Sequence, residues 1–241
     1  MRRLRVLLGT AVAALTASAL IGTGTAQAAA DAAPAPAAVP TQHPAACSGT
    51  YEGDERLGPQ NLPRPWDQPV GRLVFGYHRT GHLTPRTFLA TFWDSTAGGW
   101  KYPPDDGFAH RPDGTPDKRA VELRAGEDLD RFGSEYGSFL APAGAPYSRR
   151  ALPPQSLITR EAGYPCAYHA YEVVKSFKVW QGRIAPWFDQ PGGGRQIKLD
   201  PAFVDPGPGR ALNVKWLLDH GYLKAETNPA AAASALAGVG G

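Results

Sequence analysis

Cysteine is scarce in this chain: two among 241 residues, Cys47 and Cys166. Neither has a partner at metal-ligand spacing, so no metal is expected. A GxSxG nucleophile elbow is missing, and so is a phosphate loop ending in Gly-Lys-Ser/Thr. The glycines of PGGGRQ (191–196) precede a strand and not a helix, which excludes a dinucleotide-binding fingerprint. No internal repeat occurs. A surplus of positive charge is missing too. Three of the 25 basic residues (Arg2, Arg3, Arg5) lie in the first 28, which leaves 22 against 22 acidic ones. A nucleic-acid partner therefore has no electrostatic basis.

Those first 28 residues hold the one long apolar run. Their basic start, apolar middle and the small-residue end Ala26-Gln27-Ala28 read as a signal peptide cleaved near Ala28. A membrane anchor is the weaker reading, because Gly and Thr interrupt the run and no charged stop follows. The expected location is extracellular, with no membrane partner after cleavage. Residues 29–46 are nearly all Ala and Pro, a linker unable to bury enough side chain to order itself. Residues 226–241 form an Ala/Gly tail expected to fray. In an exported chain, two cysteines favour a Cys47–Cys166 disulfide contributing about 2–4 kcal/mol. Catalysis by Cys166 with nearby His169 is a remote alternative.

Between linker and tail the residues suit one domain. Arg72 to Tyr77 (RLVFGY) reads as a short strand. Thr84 then Pro85 make a helix start, and Phe88, Leu89, Phe92 and Trp93 give it one apolar face to Trp93. Gly98 to Phe108 is a proline-rich loop, in which Asp105 and Asp106 are expected in solvent or turn hydrogen bonds. Arg119 to Arg124 alternates as a half-buried strand. Strand residues also fill Tyr171 to Trp180, before a turn at Gln181-Gly182. Gln196 to Leu199 is a further strand, and Leu212 to His220 a helix closed by Gly221. The class is α+β, with strands dominant and few peripheral helices.

The most unusual stretch is Leu129 to Pro154, LDRFGSEYGSFLAPAGAPYSRRALPP. It mixes Arg131, Arg149 and Arg150 with Phe132, Tyr136 and Phe139. Guanidinium forks beside aromatic rings suit a ligand carrying both phosphates and planar rings. Taken singly, each residue has a plainer reading: Arg131 in a surface pair with Asp128 or Asp130, Arg150 covering apolar surface with its stem, Gln196 as a polar strand residue.

Taken in order, WKYPPDDGF, LDRFGSEYGSFLAP, PYSRRALPP, YEVVKSFKVWQGRIAPWFDQPGGGRQ and a final HGYL resemble the tuberculosis necrotizing toxin (TNT) family over about Trp100 to Leu223. The resemblance implies a compact β-rich catalytic domain over 100–225, distantly like ADP-ribosyltransferases, with 47–99 as an N-terminal extension packed on it. The implied activity is NAD(P)+ glycohydrolysis, with the dinucleotide as substrate, no cofactor, and a toxin role with an immunity protein as partner. Matched to the family's DRFG, LxP, RxLP and APxF motifs and its glutamine after the glycine run, the catalytic residues are Arg131, Phe139 and Gln196. Phe132, Arg150 and Trp187 are the substrate-binding residues. Arg150 is taken over Arg149 because it directly precedes Ala-Leu-Pro. Glutamine at 196, where transferases usually hold the ribose with glutamate, favours hydrolysis over ADP-ribosyl transfer. A binding module without turnover is the remaining alternative.

Overall fold

The computed structural model describes residues 44–226, so the expected signal peptide, most of the linker and the tail lie outside the described residues. Among the described residues three α-helices, α1 (Gly71–Val74), α2 (Pro85–Phe92) and α3 (Val214–Asp219), and six short 3-10 turns accompany nine strands. The strands are β1 (Trp93–Asp94), β2 (Gly99–Trp100), β3 (Lys118–Leu123), β4 (Asp128–Phe132), β5 (Phe139–Pro142), β6 (Tyr168–Val173), β7 (Phe177–Arg183), β8 (Arg195–Lys198) and β9 (Leu223–Ala225). Strands β1 and β2 pair as a small ribbon, and the other seven form one sheet in the order β3-β7-β8-β5-β4-β6-β9. Every neighbouring pair in it is antiparallel. The expected α+β class, strand-dominated with few helices, is the architecture found.

Helix α2 begins where its sequence says. The Thr84 hydroxyl accepts the Thr87 N–H at 3.2 Å, and Pro85 occupies the first turn. Phe88 is fully buried and Phe92 packs 5.3 Å from the Phe188 ring, so these aromatics are core as expected. Trp93 leaves the helix for β1 and pairs with Trp100. Asn213 caps α3 by accepting the Trp216 N–H, and this cap starts the helix two residues later than Leu212.

Two local expectations are corrected. Arg72 to Tyr77 is not a strand: Leu73, Val74 and Tyr77 are buried while Phe75 is 72% exposed. Leu73 and Val74 are buried from the single turn of α1, which ends at Val74; Phe75 is already extended and Tyr77 follows outside the helix. Gln181-Gly182 is not a turn either, since β7 runs through to Arg183. A Cβ at Gly182 would lie 2.1 Å from the Asp117 carbonyl oxygen and 2.8 Å from the Phe108 ring. The glycine is there for close approach of another chain segment.

The main core lies between the sheet and α3, where Tyr171, Val179, Ile197, Val214 and Leu217 are fully buried. A second cluster joins Val70, Leu73, Val74 and Tyr77 of the 44–99 region to Phe132, Tyr147, Leu157 and Tyr168. Tyr147 is its centre: its ring meets Tyr77 at 4.7 Å and Phe132 at 4.9 Å, and its hydroxyl donates to the Pro153 carbonyl. The Cys47–Cys166 disulfide, spanning 119 residues, closes this cluster as the composition suggested. The Cys166 N–H donates to the Thr159 hydroxyl, so the bridge also anchors the 158–167 loop. Replacing both cysteines by serine is expected to lower unfolding free energy by about 2–5 kcal/mol. Denaturant unfolding of oxidised wild type and the variant checks this, and equal midpoints contradict it.

Candidate active site

Strands β4 and β5 pair only at Leu129↔Pro142 and Asp130↔Ala141, then part. Beyond Asp130, β4 stays with β6 as far as Phe132↔Tyr168, while β5 stays with β8 through Leu140↔Ile197 and Phe139↔Lys198. Strand backbone that loses its ladder must find other partners. Arg131 supplies one: its Nη1 donates to the Phe139 carbonyl at 2.6 Å, and its Nε to the Ser134 carbonyl at 2.6 Å. The guanidinium lies flat against Gly137, where a Cβ would sit 2.0 Å from Nη2. Among the described residues Nη2 has no hydrogen-bond partner. Burial lowers the Arg131 pKa from its ordinary value, and Tyr171, Glu135 and Tyr102 oppose that shift. The group stays charged.

A cavity of about 50 Å³ opens at the fork, lined by Arg131, Phe132, Phe139, Arg150 and Gln196 together with Ile184. Five of the six residues expected at a site therefore meet there, from strand, loop and strand far apart in sequence. Their roles in holding the fork differ. Phe139 is half-buried at the cavity wall. Gln196 is 9% exposed, and its Nε2 donates to the Asp106 carbonyl at 2.8 Å, which leaves Oε1 unengaged among the described residues. Phe132 is 4% exposed, with the Arg150 guanidinium 5.1 Å over its ring and Tyr147 and Tyr168 packed around it. It supports the wall from within the core.

Arg150 is not an open fork. Its Nη1 and Nη2 donate to Asp130 Oδ1 and Oδ2 at 2.5 and 2.8 Å, and Nε and Nη2 donate to the Ala145 carbonyl at 3.0 and 2.8 Å. Four of its five N–H groups are used, and among the described residues the second one at Nη1 has no partner. Asp130 is fully buried, and it also accepts from the Gly144 N–H and the Tyr168 hydroxyl. Burial, then the adjacent Asp130 charge, pushes the Tyr168 phenol well above its usual range. Of the Arg149-Arg150 doublet, Arg149 is exposed and Arg150 is buried.

Trp187 does not line this cavity. Its indole N–H donates to the Lys101 carbonyl, and its ring packs 6.0 Å from Phe92 in the α2 cluster. A second cavity, of about 270 Å³, has on its wall Ser134, whose carbonyl accepts from Arg131, beside Trp100, Tyr102, Arg160, Tyr164 and His169. His169 faces Arg131 across the β4–β6 ladder and is 5% exposed. Its ring stacks 4.2 Å from Tyr164, and among the described residues Nδ1 has no hydrogen-bond partner, with Glu135 Oε1 3.5 Å away. Desolvation lowers the His169 pKa below the ordinary 6.5, which keeps the imidazole neutral at pH 7. The sequence offered one signal for it, the alternation of YHAYEV that puts His169 and Tyr171 on one face.

Asp105 and Asp106 sit in left-handed backbone at φ 52° and 57°. Their carboxylates reach different partners, His110 Nε2 at 2.8 Å and Lys198 Nζ at 3.3 Å. Asp130 is a fully buried carboxylate whose charge is paired with Arg150. Asp130→Ala is expected to cost about 3–5 kcal/mol of stability by stranding the buried Arg150. The Asp130→Leu/Arg150→Met pair recovers part of that loss. Urea unfolding of the three variants checks the expectation, and a double variant less stable than Asp130→Ala contradicts it.

A family model described as Tuberculosis necrotizing toxin matches residues 122–225. A curated relative from Aspergillus fumigatus, the conidial surface nicotinamide adenine dinucleotide glycohydrolase nadA, is 45% identical over 174 residues, which is 71% of this chain and 69% of the relative. Among solved structures, the tuberculosis necrotizing toxin complexed with its immunity factor is 23% identical at TM-score 0.49, covering 64% of this chain and 81% of that one. The Rhs1-CT structure, in complex with its cognate immunity protein, is 15% identical at TM-score 0.25, covering 40% of this chain and 81% of that one. On the extent and identity of the match to the Aspergillus relative, the chain belongs to the tuberculosis necrotizing toxin family.

Proposed function

We propose that this chain is an NAD(P)+ glycohydrolase, breaking the nicotinamide–ribose bond with water to give nicotinamide, ADP-ribose (or its phosphate) and a proton. Family membership and the activity named for the 45%-identical relative support the reaction class. The observation that carries it to this site is the convergence of Arg131, Phe139 and Gln196 on one cavity where β4 and β5 part.

The chemistry suits such a cavity. Nicotinamide is cationic in the dinucleotide and departs as a neutral amide, so departure needs no general acid. The protein has to shelter an oxocarbenium-like ribose and orient water, which accounts for a site without the paired carboxylates of ordinary glycosidases. Gln196, its amide N–H₂ tied to the Asp106 carbonyl, turns Oε1 as acceptor toward a ribose hydroxyl or the attacking water. Phe139 stacks on the departing ring and keeps bulk water off the reacting carbon. Arg131 holds the pyrophosphate through its unengaged Nη2. A cavity of about 50 Å³ has room for water but not for a dinucleotide, and the neighbouring one of about 270 Å³ takes the adenosine half. Arg150 acts chiefly by fixing the wall, with one N–H to spare for phosphate. Trp187 acts on ligand only through the Tyr102 loop it anchors. No cofactor enters this scheme.

Export is part of the same reading. A relative named for the conidial surface and a disulfide suited to oxidising compartments both support it. A toxin role and an immunity protein are proposed on family membership alone. Purified protein is expected to hydrolyse etheno-NAD+, and Gln196→Ala to lower kcat by about 100-fold or more with folding intact. Undiminished turnover in the folded variant contradicts the assignment of Gln196. Radiolabel passing from NAD+ to protein would replace hydrolysis by ADP-ribosyl transfer, and no turnover by the folded wild type would leave a binding module.

A further inference from the structure

Residues two apart on a strand share a face, so Gln196 and Lys198 of β8 project to the same side while Ile197 is fully buried on the other. Both end on one residue. Gln196 Nε2 donates to the Asp106 carbonyl at 2.8 Å, and Lys198 Nζ lies 3.3 Å from Asp106 Oδ1. The same ammonium stands 5.0 Å over the ring of Phe139, its ladder partner on β5. Lys198 thus touches the residue that orients Gln196 and the ring that walls the cavity, without lining the cavity itself.

We infer that Lys198 is a positioning residue for the glycohydrolase reaction, fixing Gln196 through Asp106 and restraining the Phe139 ring. The inference rests on the function proposed above. Asp106 needs such a restraint. Its left-handed backbone (φ 57°, ψ 18°) follows a second left-handed residue, Asp105, a conformation that surrounding contacts must maintain. The carbonyl that orients Gln196 belongs to that strained unit. A catalytic amide displaced by about 1 Å can lose about 100-fold in rate, so a tether on this loop bears directly on turnover. The charge on Lys198 is the operative feature: it makes both the ion pair and the cation–π contact, and an uncharged stem makes neither.

The test compares steady-state NAD+ hydrolysis by wild type, Lys198→Met, Lys198→Arg, Asp106→Asn and the Lys198→Met/Asp106→Asn double variant, each checked for folding by circular dichroism. Asparagine tolerates left-handed backbone, so Asp106→Asn removes the charge and keeps the turn. Lys198→Met and Asp106→Asn are each expected to lower kcat about 10-fold with KM within about twofold. The double variant falls no further than either single one, because both remove the same tether. Lys198→Arg restores most of kcat. If Lys198→Met does not fold, Asp106→Asn reads the pair from its half-exposed side. Full kcat in the folded charge-removed variants overturns the inference, as do additive losses. A raised KM with kcat intact also overturns it, by placing the ammonium on substrate phosphate. Wild type without turnover defeats the glycohydrolase reading together with this role. Wild type with turnover beside unimpaired variants defeats the inference alone.

Discussion

A carboxylate with no access to water needs a cation close by, and Asp130 is such a carboxylate. It sits at the last β4–β5 pair, where the sheet forks. Arg150 answers it from the loop after β5, drawing that loop back across β4. With the loop in place, Tyr147 seats between Phe132 and Tyr77, and the disulfide-bonded 44–99 region packs on the outside. The fork stays open because Arg131, one residue on, takes the Phe139 carbonyl that the ladder no longer reaches. One arginine holds the floor of the cleft and the other holds its mouth.

That division of labour matters for the proposed chemistry. A ribose becoming cationic is disfavoured by an unpaired guanidinium at its side, and in a dry cleft the repulsion is large. Arg150 is neutralised by Asp130 within the wall. Arg131, which also lines the cavity, keeps Nη2 free of hydrogen-bond partners among the described residues, and the proposed scheme turns that charge to the pyrophosphate. On that proposal the cationic groups nearest the forming cation are offset, Arg150 by Asp130 and Arg131 by the substrate's own phosphates. Neutral His169, beside Arg131 and lacking a partner at Nδ1, adds no further charge.

Much of this was legible in the residues themselves. Local grammar gave α2 its start at Thr84-Pro85, and alternation marked β3. The unusual motifs group Arg131, Phe139, Arg150 and Gln196, and all four line one cavity. What escaped was non-local. Nothing near Asp130 in sequence announces that its partner lies twenty residues on, and Asp128 is an equally plausible neighbour for Arg131. Gly182 looked like a turn because a glycine needed for close approach of Asp117 is the same letter as one needed for a bend. Trp187 was placed at the site by motif, but its indole is committed to Lys101 and Phe92. Helix α1 is a single turn, too short for its period to be told from that of a strand.

The most direct test of the central claim, that substrate binds across the β4–β5 fork, is a crystal structure of Gln196→Ala soaked with NAD+. The account predicts nicotinamide against Phe139, Arg131 Nη2 on the pyrophosphate, adenosine toward Tyr164 and Arg160, and the Arg150–Asp130 pair unbroken. A dinucleotide bound away from the fork contradicts it, and so does an Arg150 released from Asp130 to clamp the phosphates.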